Sequence, residues 1–332
     1  MKNELVSLVI INYNNKDYLS RCLESIFNQS YKDIEIIFID NESKDGSFEY
    51  MKEEYSDKGI LLIKNTINNG YAGAANQGIK IAKGEFIMII NPDIVMEKDF
   101  VENLAFYMAK NLECGAITGK LLKYDFKNNK KLNYIDSAGI EMYRNTRCID
   151  RGQNEEDRGQ YDQIEEVFGV CGAAPMYRRS SLEKIKYKEE YFDEDFFAYK
   201  EDVDLSWRLN LVGEKNIYYP KAIAYHGRAL GRSKKGILNF IKHRKKQSEF
   251  LRGISYRNHL MMLEKNKFSD FIIENKIQIK IRQTLLIIYA SIFERFIFKF
   301  RKEAKLNKEL MNQKSEYFKS KNKIKSIRYL IK

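Results

Sequence analysis

Short apolar runs alternate with longer amphipathic segments through the first ninety residues of the chain. The apolar runs have the length of strands, and they occupy residues 6–11, 34–39, 60–63 and 85–90. The segments between them have helical spacing of their apolar positions, and they occupy residues 17–29, 47–55 and 71–82. Strands that are apolar throughout and alternate with helices are typical of a parallel sheet covered on both faces. The pattern therefore predicts a doubly wound α/β domain.

The pattern is less regular in the middle of the chain. A helix is predicted at 100–111, and strands are predicted at 115–122 and at 217–224, which leads to His226. The segment 168–177 consists of apolar and small residues. It either lets the backbone approach a ligand closely or packs tightly against a neighbouring element.

Several common cofactor motifs are absent from the sequence. The turn after the first strand, residues 12–16, lacks the glycine pattern of nicotinamide and flavin sites, and there is no Gly-Lys-Ser or Gly-Lys-Thr phosphate loop. The four cysteines are scattered without zinc-like spacing. They are predicted to be buried thiols of a reducing compartment.

Charge divides the chain into two parts. Residues 1–226 hold 30 Lys and Arg against 38 Asp and Glu, a net charge of −8, and residues 227–332 hold 28 against 8, a net charge of +20. A strongly basic segment favours anionic surfaces, which are either nucleic acid or acidic lipid. We therefore predict an α/β domain at 1–230 and a basic amphipathic helical region at 231–332.

Apolar residues recur at helical spacing within the basic region. They are Ile277, Ile281, Leu285, Ile288, Ile292 and Phe296. With Lys and Arg on both sides, they predict a helix at a membrane interface, although a helix packed on the body or a dimer interface would have the same pattern. A basic cluster is predicted to be exposed and to contact anionic lipid, namely Lys242, Arg244, Lys245 and Lys246. We predict neither a transmembrane helix nor a signal peptide.

Two acidic sites carry the candidate chemistry. Asp93 follows the apolar run 86–90, which places it at the carboxyl end of a buried strand, where α/β sheets bind ligands. Glu201 and Asp202 lie among aromatic residues, where partial burial raises the pKa of a carboxyl group and suits it to accept a proton. One acid for a metal and one for a proton predict an enzyme that activates a hydroxyl group against a phosphate-bearing donor. The alternative is a charged helix start that has only a capping role.

Five motifs, taken in order, resemble those of the family 2 glycosyltransferases. They are Ser-Leu-Val-Ile-Ile-Asn-Tyr-Asn at 7–14, Ile-Asp-Asn-Glu-Ser-Lys-Asp-Gly-Ser at 39–47, Asn-Gly-Tyr-Ala-Gly-Ala-Ala-Asn-Gln-Gly at 69–78, Asn-Pro-Asp at 91–93 and the acidic, aromatic segment at 192–208. The resemblance covers roughly residues 5–230 and is greatest to the bacterial rhamnosyltransferase-like group. It implies a GT-A fold, a nucleotide-sugar donor, Mg²⁺ or Mn²⁺, and inversion at the anomeric carbon.

The resemblance also implies roles for individual residues. Contacts to the nucleotide sugar are implied for Asn12, Tyr13, Asp40, Gly70, Tyr71, Asn76 and Asn91. Asp93 corresponds to the metal-binding acid, and His226 lies where a metal or diphosphate contact is expected. Asp202 corresponds to the general base, with Glu201 beside it as a second catalytic candidate.

Each of these residues also has a structural interpretation. Trp207 and Arg208 are candidate acceptor contacts, but packing and pairing with a nearby acid explain them equally well. Asn12 and Tyr13 would then form only a turn, and Asp40 would cap the following helix. Asn76 would be an ordinary polar helix residue, and His226 would be a surface or core residue.

The sequence departs from the family at the metal motif, because Asn91 replaces the first acid of Asp-x-Asp. One carboxylate, Asp93, is left for the metal, and donor phosphate oxygens and waters would complete a shell that Mg²⁺ tolerates. Because Asp93 and Asp202 are both present, a degenerate sugar-binding scaffold is disfavoured.

We expect a metal-dependent, inverting transferase that acts in the synthesis of a cell-surface or cell-wall polysaccharide. Its first expected donor is dTDP-rhamnose, its acceptor is a hydroxyl of a lipid-linked glycan, and its place is the inner face of the cell membrane. The alternative donor is a UDP-linked hexose or N-acetylhexosamine. A nucleic-acid-binding protein is the remote alternative, since no recognition motif accompanies the basic charge.

Overall fold

The computed structural model describes residues 4–228, 244 and 247–332. Its strands are β1 Val6–Asn12, β2 Ile34–Asp40, β3 Ile60–Lys64, β4 Phe86–Ile90, β5 Ile94–Met96, β6 Cys114–Asp125, β7 Lys130–Ser137, β8 Ile140–Met142, β9 Cys148–Asp150, β10 Glu165–Glu166, β11 Met176–Arg178 and β12 Lys215–His226. Its helices are α1 Lys16–Phe27, α2 Ser47–Tyr55, α3 Gly70–Ile81, α4 Phe100–Lys110, α5 Arg179–Ile185, α6 Glu201–Val212, α7 Glu249–Lys265, α8 Asp270–Glu274, α9 Lys276–Phe293, α10 Ile297–Leu306 and α11 Lys308–Lys321.

Among the described residues, one mixed sheet of ten strands forms the centre. Its order is β10-β12-β6-β11-β4-β1-β2-β3, with β5 paired to β12 and β7 paired to β6. The strands of the first ninety residues run parallel to one another, as their apolar runs predict. Beyond β4 the sheet is no longer purely parallel, because β11 runs antiparallel between β4 and β6. The predicted α/β class with a helical C-terminal region is confirmed.

Both faces of the sheet are covered, which explains why β1 is apolar without alternation. Leu8 and Ile10 of β1 belong to the hydrophobic layer that includes α1 and α4. Val9 and Ile11, on the opposite face, belong to the layer that includes α3, α5 and α6. The parallel strands end at one edge of this sandwich, so the turns that follow β1, β2 and β4 lie along the same edge.

The C-terminal helices α7, α8, α10 and α11 complete the second of these layers. They contribute buried apolar side chains to it, among them Met261, Met262, Phe271, Ala304, Met311 and Phe318. The basic region is therefore packed against the α/β domain along most of its described length. The division of the chain at residue 230 stays a prediction.

A buried ionic cluster joins these helices to the segment that precedes α6. Lys265 of α7 donates to Asp193 Oδ2 (2.6 Å) and to Asp204 Oδ2 (2.8 Å). Lys314 of α11 donates to Asp193 Oδ1 (2.6 Å) and to Asp195 Oδ2 (2.6 Å). The side chains of Asp193, Asp204, Lys265 and Lys314 are each at most 5% exposed. We call these four residues the ionic cluster.

Helix α9 differs from the other C-terminal helices because one of its faces is uncovered. The apolar side chains of this face are exposed by 52–74% in the described structure, and they are Ile277, Ile281, Leu285, Ile288 and Ile292. We call these five residues the apolar stripe. Phe296, which was predicted to continue it, instead lies against the guanidinium group of Arg252, 4.7 Å from the ring centre. In the part of the chain that the structure describes, no helix combines the length and apolarity that a bilayer span requires.

The predicted basic cluster at 242–246 is only partly within the described residues, because Lys242, Lys245 and Lys246 lie outside them. Arg244 is described, and its Nη2 lies 2.6 Å from Glu294 Oε2. Glu294 is 3% exposed, so Arg244 compensates a buried carboxylate. Arg244 is half-buried rather than part of the core, and its contact with anionic lipid stays a prediction.

Candidate active site

The carboxyl ends of β1 and β2 hold the first of the predicted site residues. The side-chain nitrogen of Asn12 donates to Asp40 Oδ1 and to Ser43 Oγ, both at 3.0 Å. Asp40 Oδ2 accepts from the backbone N–H of Ser43, also at 3.0 Å. Asn12 and Asp40 are fully buried. They fix the two turns against each other, and Asp40 does not cap helix α2, which begins after Gly46.

Tyr13 is the exposed aromatic residue at these two turns, with 47% of its surface accessible. The turn beneath it is rigid, because Asn14 Oδ1 accepts from the backbone N–H of Lys44 at 2.7 Å. The backbone N–H of Asn14 donates to Ser43 Oγ at 2.9 Å. The aromatic ring of Tyr13 is therefore the group at this edge that a planar ligand can contact.

Gly70 and Tyr71 begin helix α3 beside the segment that leads to α6. Gly70 has a left-handed φ of 72°, and a Cβ at this position would lie 2.4 Å from the carbonyl oxygen of Phe197. Only glycine fits this close approach. The hydroxyl of Tyr71 donates to the carbonyl oxygen of Gly172 at 2.6 Å. Tyr71 therefore lies beside Gly172, whose N–H donates to Asp202, whereas Gly70 lets α3 approach the segment before α6.

Asn76 lies inside the protein and makes four hydrogen bonds there. Its Oδ1 accepts from the backbone N–H groups of Tyr191 (3.0 Å) and Phe192 (2.8 Å). Its Nδ2 donates to the carbonyl oxygen of Phe192 and to Glu194 Oε1, both at 2.8 Å. The expectation that Asn76 lines the diphosphate is corrected, because its side chain is 0% exposed and its polar atoms are used to anchor this segment.

Asp93 and His226 meet because β5 and β12 pair in an antiparallel register. His226 is opposite Ile94 in this register, and the N–H of Gly227 donates to the carbonyl oxygen of Asp93 at 2.9 Å. His226 Nε2 lies 3.3 Å from Asp93 Oδ2. Asn91 is half-buried just before them, and its backbone N–H donates to Ala173 O at 2.9 Å.

A second carboxylate, Asp136 at the end of β7, holds His226 from the other side. His226 Nδ1 lies 2.7 Å from Asp136 Oδ2, and Asp136 is fully buried. Burial by itself lowers the pKa of His226, but the carboxylates of Asp93 and Asp136 raise it to about 9. Sequence reasoning missed Asp136, since it stands in an irregular region with no motif around it.

Arg228 and Asp150 continue the series of polar contacts that begins with Asp93, His226 and Asp136. We call this series the polar line. Arg228 Nη1 lies 2.7 Å from Asp150 Oδ2 and 3.7 Å from Asp136 Oδ1. The charge of Asp150 is in turn one of the causes that raise the pKa of Asp202. Direct polar contacts therefore connect Asp93 to Asp150, and the charge of Asp150 acts on Asp202.

Asp202 stands at the first turn of α6 with both carboxylate oxygens held. Its Oδ2 accepts from the N–H of Gly172 at 3.1 Å, and its Oδ1 accepts from the N–H of Val203 at 2.8 Å. A Cβ at Gly172 would lie 3.3 Å from Asp202 Oδ2, so the small residues of this segment let the backbone approach the carboxylate. Burial raises the pKa of Asp202 above its usual value.

Glu201 is oriented differently from Asp202. It is 7% exposed, and its Oε2 has no hydrogen-bond partner among the described residues. Burial, assisted by the charge of Asp202, raises the pKa of Glu201 to about 8. Glu201 is therefore largely protonated at neutral pH. Burial is the main cause that raises the pKa values of the nearby Tyr71 and Tyr177 hydroxyls, which stay neutral as well.

The backbone just before α6 is strained. Phe197, Tyr199 and Lys200 all have left-handed φ angles, between 64° and 73°, which cost non-glycine residues free energy. Asn258 of α7 compensates by donating to the carbonyl oxygens of Phe196, Ala198 and Tyr199 at 2.7–2.8 Å. The C-terminal helices therefore hold the conformation from which Asp202 emerges.

Trp207 and Arg208 lie in the interior, behind the site. Trp207 is 0% exposed, and its Nε1 donates to Ser269 Oγ at 3.1 Å. Arg208 is 3% exposed, and its Nε donates to Asp204 Oδ2 at 2.9 Å. These placements correct the expectation that the two side chains contact an acceptor, because both face inward from α6, which is buried on nearly all sides.

Asp93 and His226 are the residues that fit a divalent cation. Within the described residues, no group of three or more His, Cys, Asp or Glu side chains is arranged to hold a metal ion. Asp93 supplies the carboxylate that Mg²⁺ or Mn²⁺ takes when phosphate and water complete its shell. His226 joins it as a ligand only when the cation displaces the Nε2 proton, because a metal-binding imidazole is neutral. The bond from His226 Nδ1 to buried Asp136 is the outer contact typical of metal-binding histidines.

The chain belongs to glycosyl transferase family 2. The model of the family described as "Glycosyl transferase family 2" matches residues 7–186, which is more than half of the chain. The predicted family is thereby confirmed. The rhamnosyltransferase-like group within it stays a prediction.

Two curated relatives illustrate what the chain is similar to. Poly-beta-1,6-N-acetyl-D-glucosamine synthase of Staphylococcus epidermidis is 28% identical over 227 residues, which are 67% of this chain and 50% of that protein. UDP-Glc:alpha-D-GlcNAc-diphosphoundecaprenol beta-1,3-glucosyltransferase WfaP of Escherichia coli is 38% identical over 105 residues, which are 32% of this chain and 41% of that protein. The chain spans about half or less of the length of the curated relatives it matches.

Solved structures show the same fold. GalNAc-T7 with UDP, GalNAc and Mn²⁺ has a TM-score of 0.64 at 14% identity, over 91% of this chain and 55% of that chain. Mannosyltransferase PcManGT from Pyrobaculum calidifontis, in complex with GDP-Man and Mn²⁺, has a TM-score of 0.54 at 16% identity, over 97% of this chain and 86% of that chain. The expected GT-A fold is confirmed.

Proposed function

We propose that this protein is an inverting glycosyltransferase that moves a sugar from a nucleotide-sugar donor to a hydroxyl of a lipid-linked glycan. The observation that carries the proposal is the set of direct polar contacts from Asp93 through His226, Asp136 and Arg228 to Asp150, whose charge acts on the buried carboxylate of Asp202. Asp93 and His226 are suited to a cation and phosphate, and Asp202 is suited to accept a proton. Family membership supports the same reaction class.

Asp202 is the general base in this proposal. It takes the proton of the acceptor hydroxyl while that oxygen forms a bond to the anomeric carbon, and the bond to the nucleoside diphosphate breaks on the opposite face. This order of events inverts the anomeric configuration. Burial raises the pKa of Asp202, which makes its carboxylate a better proton acceptor near neutral pH. Glu201 stays protonated beside it and does not compete for the proton.

Asp93 and His226 are the residues that would hold Mg²⁺ or Mn²⁺, with Asp136 orienting the imidazole. Such a cation, when bound, neutralises the charge that develops on a departing phosphate. Tyr13 is the proposed contact to the nucleotide base, since its ring is exposed at the end of β1. Asn12 and Asp40 support that contact by ordering the turns beneath it.

The relatives' names bear on the choice of donor. WfaP is named as a UDP-glucose enzyme, and the staphylococcal protein is named as an N-acetylglucosamine polymer synthase. These names favour the UDP-hexose or UDP-N-acetylhexosamine alternative as the donor. The dTDP-rhamnose donor stays a prediction, because neither name mentions rhamnose.

We also infer that the protein associates with the anionic face of a membrane. The apolar stripe of α9 is exposed over five side chains, and residues 227–332 carry a net charge of +20. An amphipathic helix with cations around an apolar face binds such surfaces by burying that face at the headgroup boundary. The name of WfaP gives its acceptor as a diphosphoundecaprenol-linked sugar. This name supports a lipid-linked acceptor for the present protein as well.

Replacing the proposed base tests the reaction directly. Asp202→Asn should retain donor binding but lower the rate of transfer by about 10²–10⁴-fold, because an amide cannot accept the proton. The matched variant Glu201→Gln should keep a rate within a few-fold of wild type, because Glu201 is already neutral. Product formation and calorimetric donor binding check both variants. A normal rate for Asp202→Asn would contradict the assignment, and a low rate for Glu201→Gln alone would transfer the role to Glu201.

Nucleoside diphosphate binding with and without Mn²⁺ tests the metal site. Asp93→Ala should abolish the Mn²⁺-dependent part of the affinity, and Asp136→Asn should weaken it by about 10- to 100-fold, as loss of an outer carboxylate does. Binding in EDTA should change little in either variant. Asp57→Asn, whose side chain is 75% exposed on another part of the molecule, is the control. Equal affinity with and without Mn²⁺ in wild type would remove the proposed metal role.

Vesicle flotation tests the membrane proposal. The triple variant Ile281→Gln, Leu285→Gln and Ile288→Gln should bind anionic vesicles about 100-fold more weakly, because each side chain contributes on the order of 1 kcal/mol when it enters the bilayer boundary. Leu306→Gln is the matched control, since Leu306 is 74% exposed on α10, outside the apolar stripe. Undiminished flotation of the triple variant would reject the apolar stripe as a lipid contact.

A further inference from the structure

A polar cavity of about 230 Å³ lies between helices α7 and α9 and the strained segment before α6. Its lining is rich in cationic and hydrogen-bonding side chains. The cations are Lys200, Arg244, Arg252 and Arg282, and His259 is the imidazole among them. Its volume is below the range of roughly 300–1,000 Å³ that is common for complete small-molecule sites. The cavity is therefore suited to a compact group rather than to a whole nucleotide sugar.

The cations of this cavity outnumber the carboxylates that compensate them. Arg244 and Arg252 share one carboxylate, Glu294, at 2.6 Å and 2.5 Å. Lys200 and Arg282 form no ion pair with any carboxylate of the described residues. Glu294 is the one carboxylate in direct contact with these four guanidinium and ammonium groups among the described residues, and the charge of Asp202 acts on Lys200 from outside the lining. The positive charge that remains costs free energy unless an anion enters.

His259 holds the guanidinium group of Arg282 at the cavity. Arg282 Nη1 and Gln283 Nε2 lie 2.7 Å and 2.9 Å from His259 Nε2. Burial, together with the charges of Arg282 and Lys200, lowers the pKa of His259 well below its usual value. The imidazole is therefore neutral and accepts a hydrogen bond from Arg282. A guanidinium group has five N–H donors, so donors remain for a ligand.

The cavity lies next to the segment that leads to the proposed catalytic base. Lys200 lines it and immediately precedes Glu201 and Asp202 in the chain. Cys148 lines it too, and the charges of Lys200, Asp202 and Arg282 all act on its thiol. The proposed metal pair lies at the opposite end of the polar line, so the donor phosphates have a separate place.

The apolar stripe is on the same helix as Arg282. Ile281 and Leu285 flank Arg282 on α9 and are 56% and 60% exposed, whereas Arg282 and Leu286 line the cavity. A molecule with an anionic head and a hydrocarbon chain can therefore place its head among the cations and its chain along the apolar stripe.

We propose that this cavity binds the diphosphate group of a prenyl-diphosphate-linked acceptor, with the prenyl chain against the apolar stripe. The inference rests on the proposed function, which it deepens by locating the anionic group of the acceptor. Charge-assisted hydrogen bonds from Lys200 and Arg282 hold the diphosphate. The sugar that carries the acceptor hydroxyl then extends toward Asp202.

Calorimetric titration of the full chain in EDTA, with pyrophosphate and with geranyl diphosphate as probes, tests the proposal. Geranyl diphosphate should bind at least about tenfold more tightly than pyrophosphate, because its chain buries apolar surface. Arg282→Gln should weaken both probes by about 10- to 100-fold, since a charged hydrogen-bond donor is lost. Leu285→Gln should weaken geranyl diphosphate only. Lys280→Gln, which removes an exposed cation of the same helix outside the cavity, should change neither.

Ser255→Glu provides a second route to the same answer. Ser255 is a half-buried lining residue of α7, and a carboxylate there should repel both probes without removing a packed side chain. Mn²⁺-supported nucleoside diphosphate binding should persist in Arg282→Gln and Ser255→Glu, which separates this proposal from the donor site. Equal affinity for the two probes would indicate a site for free diphosphate and overturn the lipid assignment. Probe binding that Asp93→Ala abolishes and Arg282→Gln leaves intact would overturn the cavity itself.

Discussion

The ionic cluster is the interaction on which the rest of the site depends. Asp193 and Asp204 flank the strained segment and the start of α6, and Lys265 and Lys314 reach them from the C-terminal helices. Burial alone would raise the pKa of Asp193, but Lys265 and Lys314 hold it well below its usual value. The stability that this pairing contributes is therefore present above the unfolded-state pKa of about 4 and is lost as the pH falls below it.

This arrangement makes the C-terminal helices part of the catalytic architecture. Asn258 holds the carbonyl groups of the left-handed segment, and the ionic cluster fixes both of its flanks. Asp202 follows directly on that segment, and Tyr199 and Lys200 of the same segment line the cationic cavity. The C-terminal helices therefore position the proposed base Asp202, line the cationic cavity and carry the apolar stripe. The same helices that carry the basic charge of the chain also set the position of the proposed proton acceptor.

Much of the fold follows from local pattern, and much of the site does not. The first four strands are predictable because each is apolar on both faces, and Asp93 and His226 are predictable as polar residues at strand ends. Asp136 is not, because its role arises from pairing between β7 and β6 and from a contact with His226 that no local spacing encodes. Asn76, Trp207 and Arg208 have polar groups that suit a ligand, but their partners come from distant segments. Burial decides the roles of these residues. Sequence spacing cannot tell which side chains are buried in a helix that is enclosed on all sides.

The central claim is that the ionic cluster holds the segment from which Asp202 emerges. Backbone hydrogen exchange in Lys265→Met, measured beside Lys267→Met, tests it most directly, because Lys267 is an exposed cation two residues away on the same part of the chain. Removing one partner of a buried ion pair costs roughly 3–5 kcal/mol. We expect Lys265→Met to lose stability of this order. Its backbone amides at 193–203 should exchange faster than its amides in β1 and β4. Lys267→Met should match wild type in both measurements. Wild-type stability and unchanged exchange at 193–203 in Lys265→Met would contradict the account.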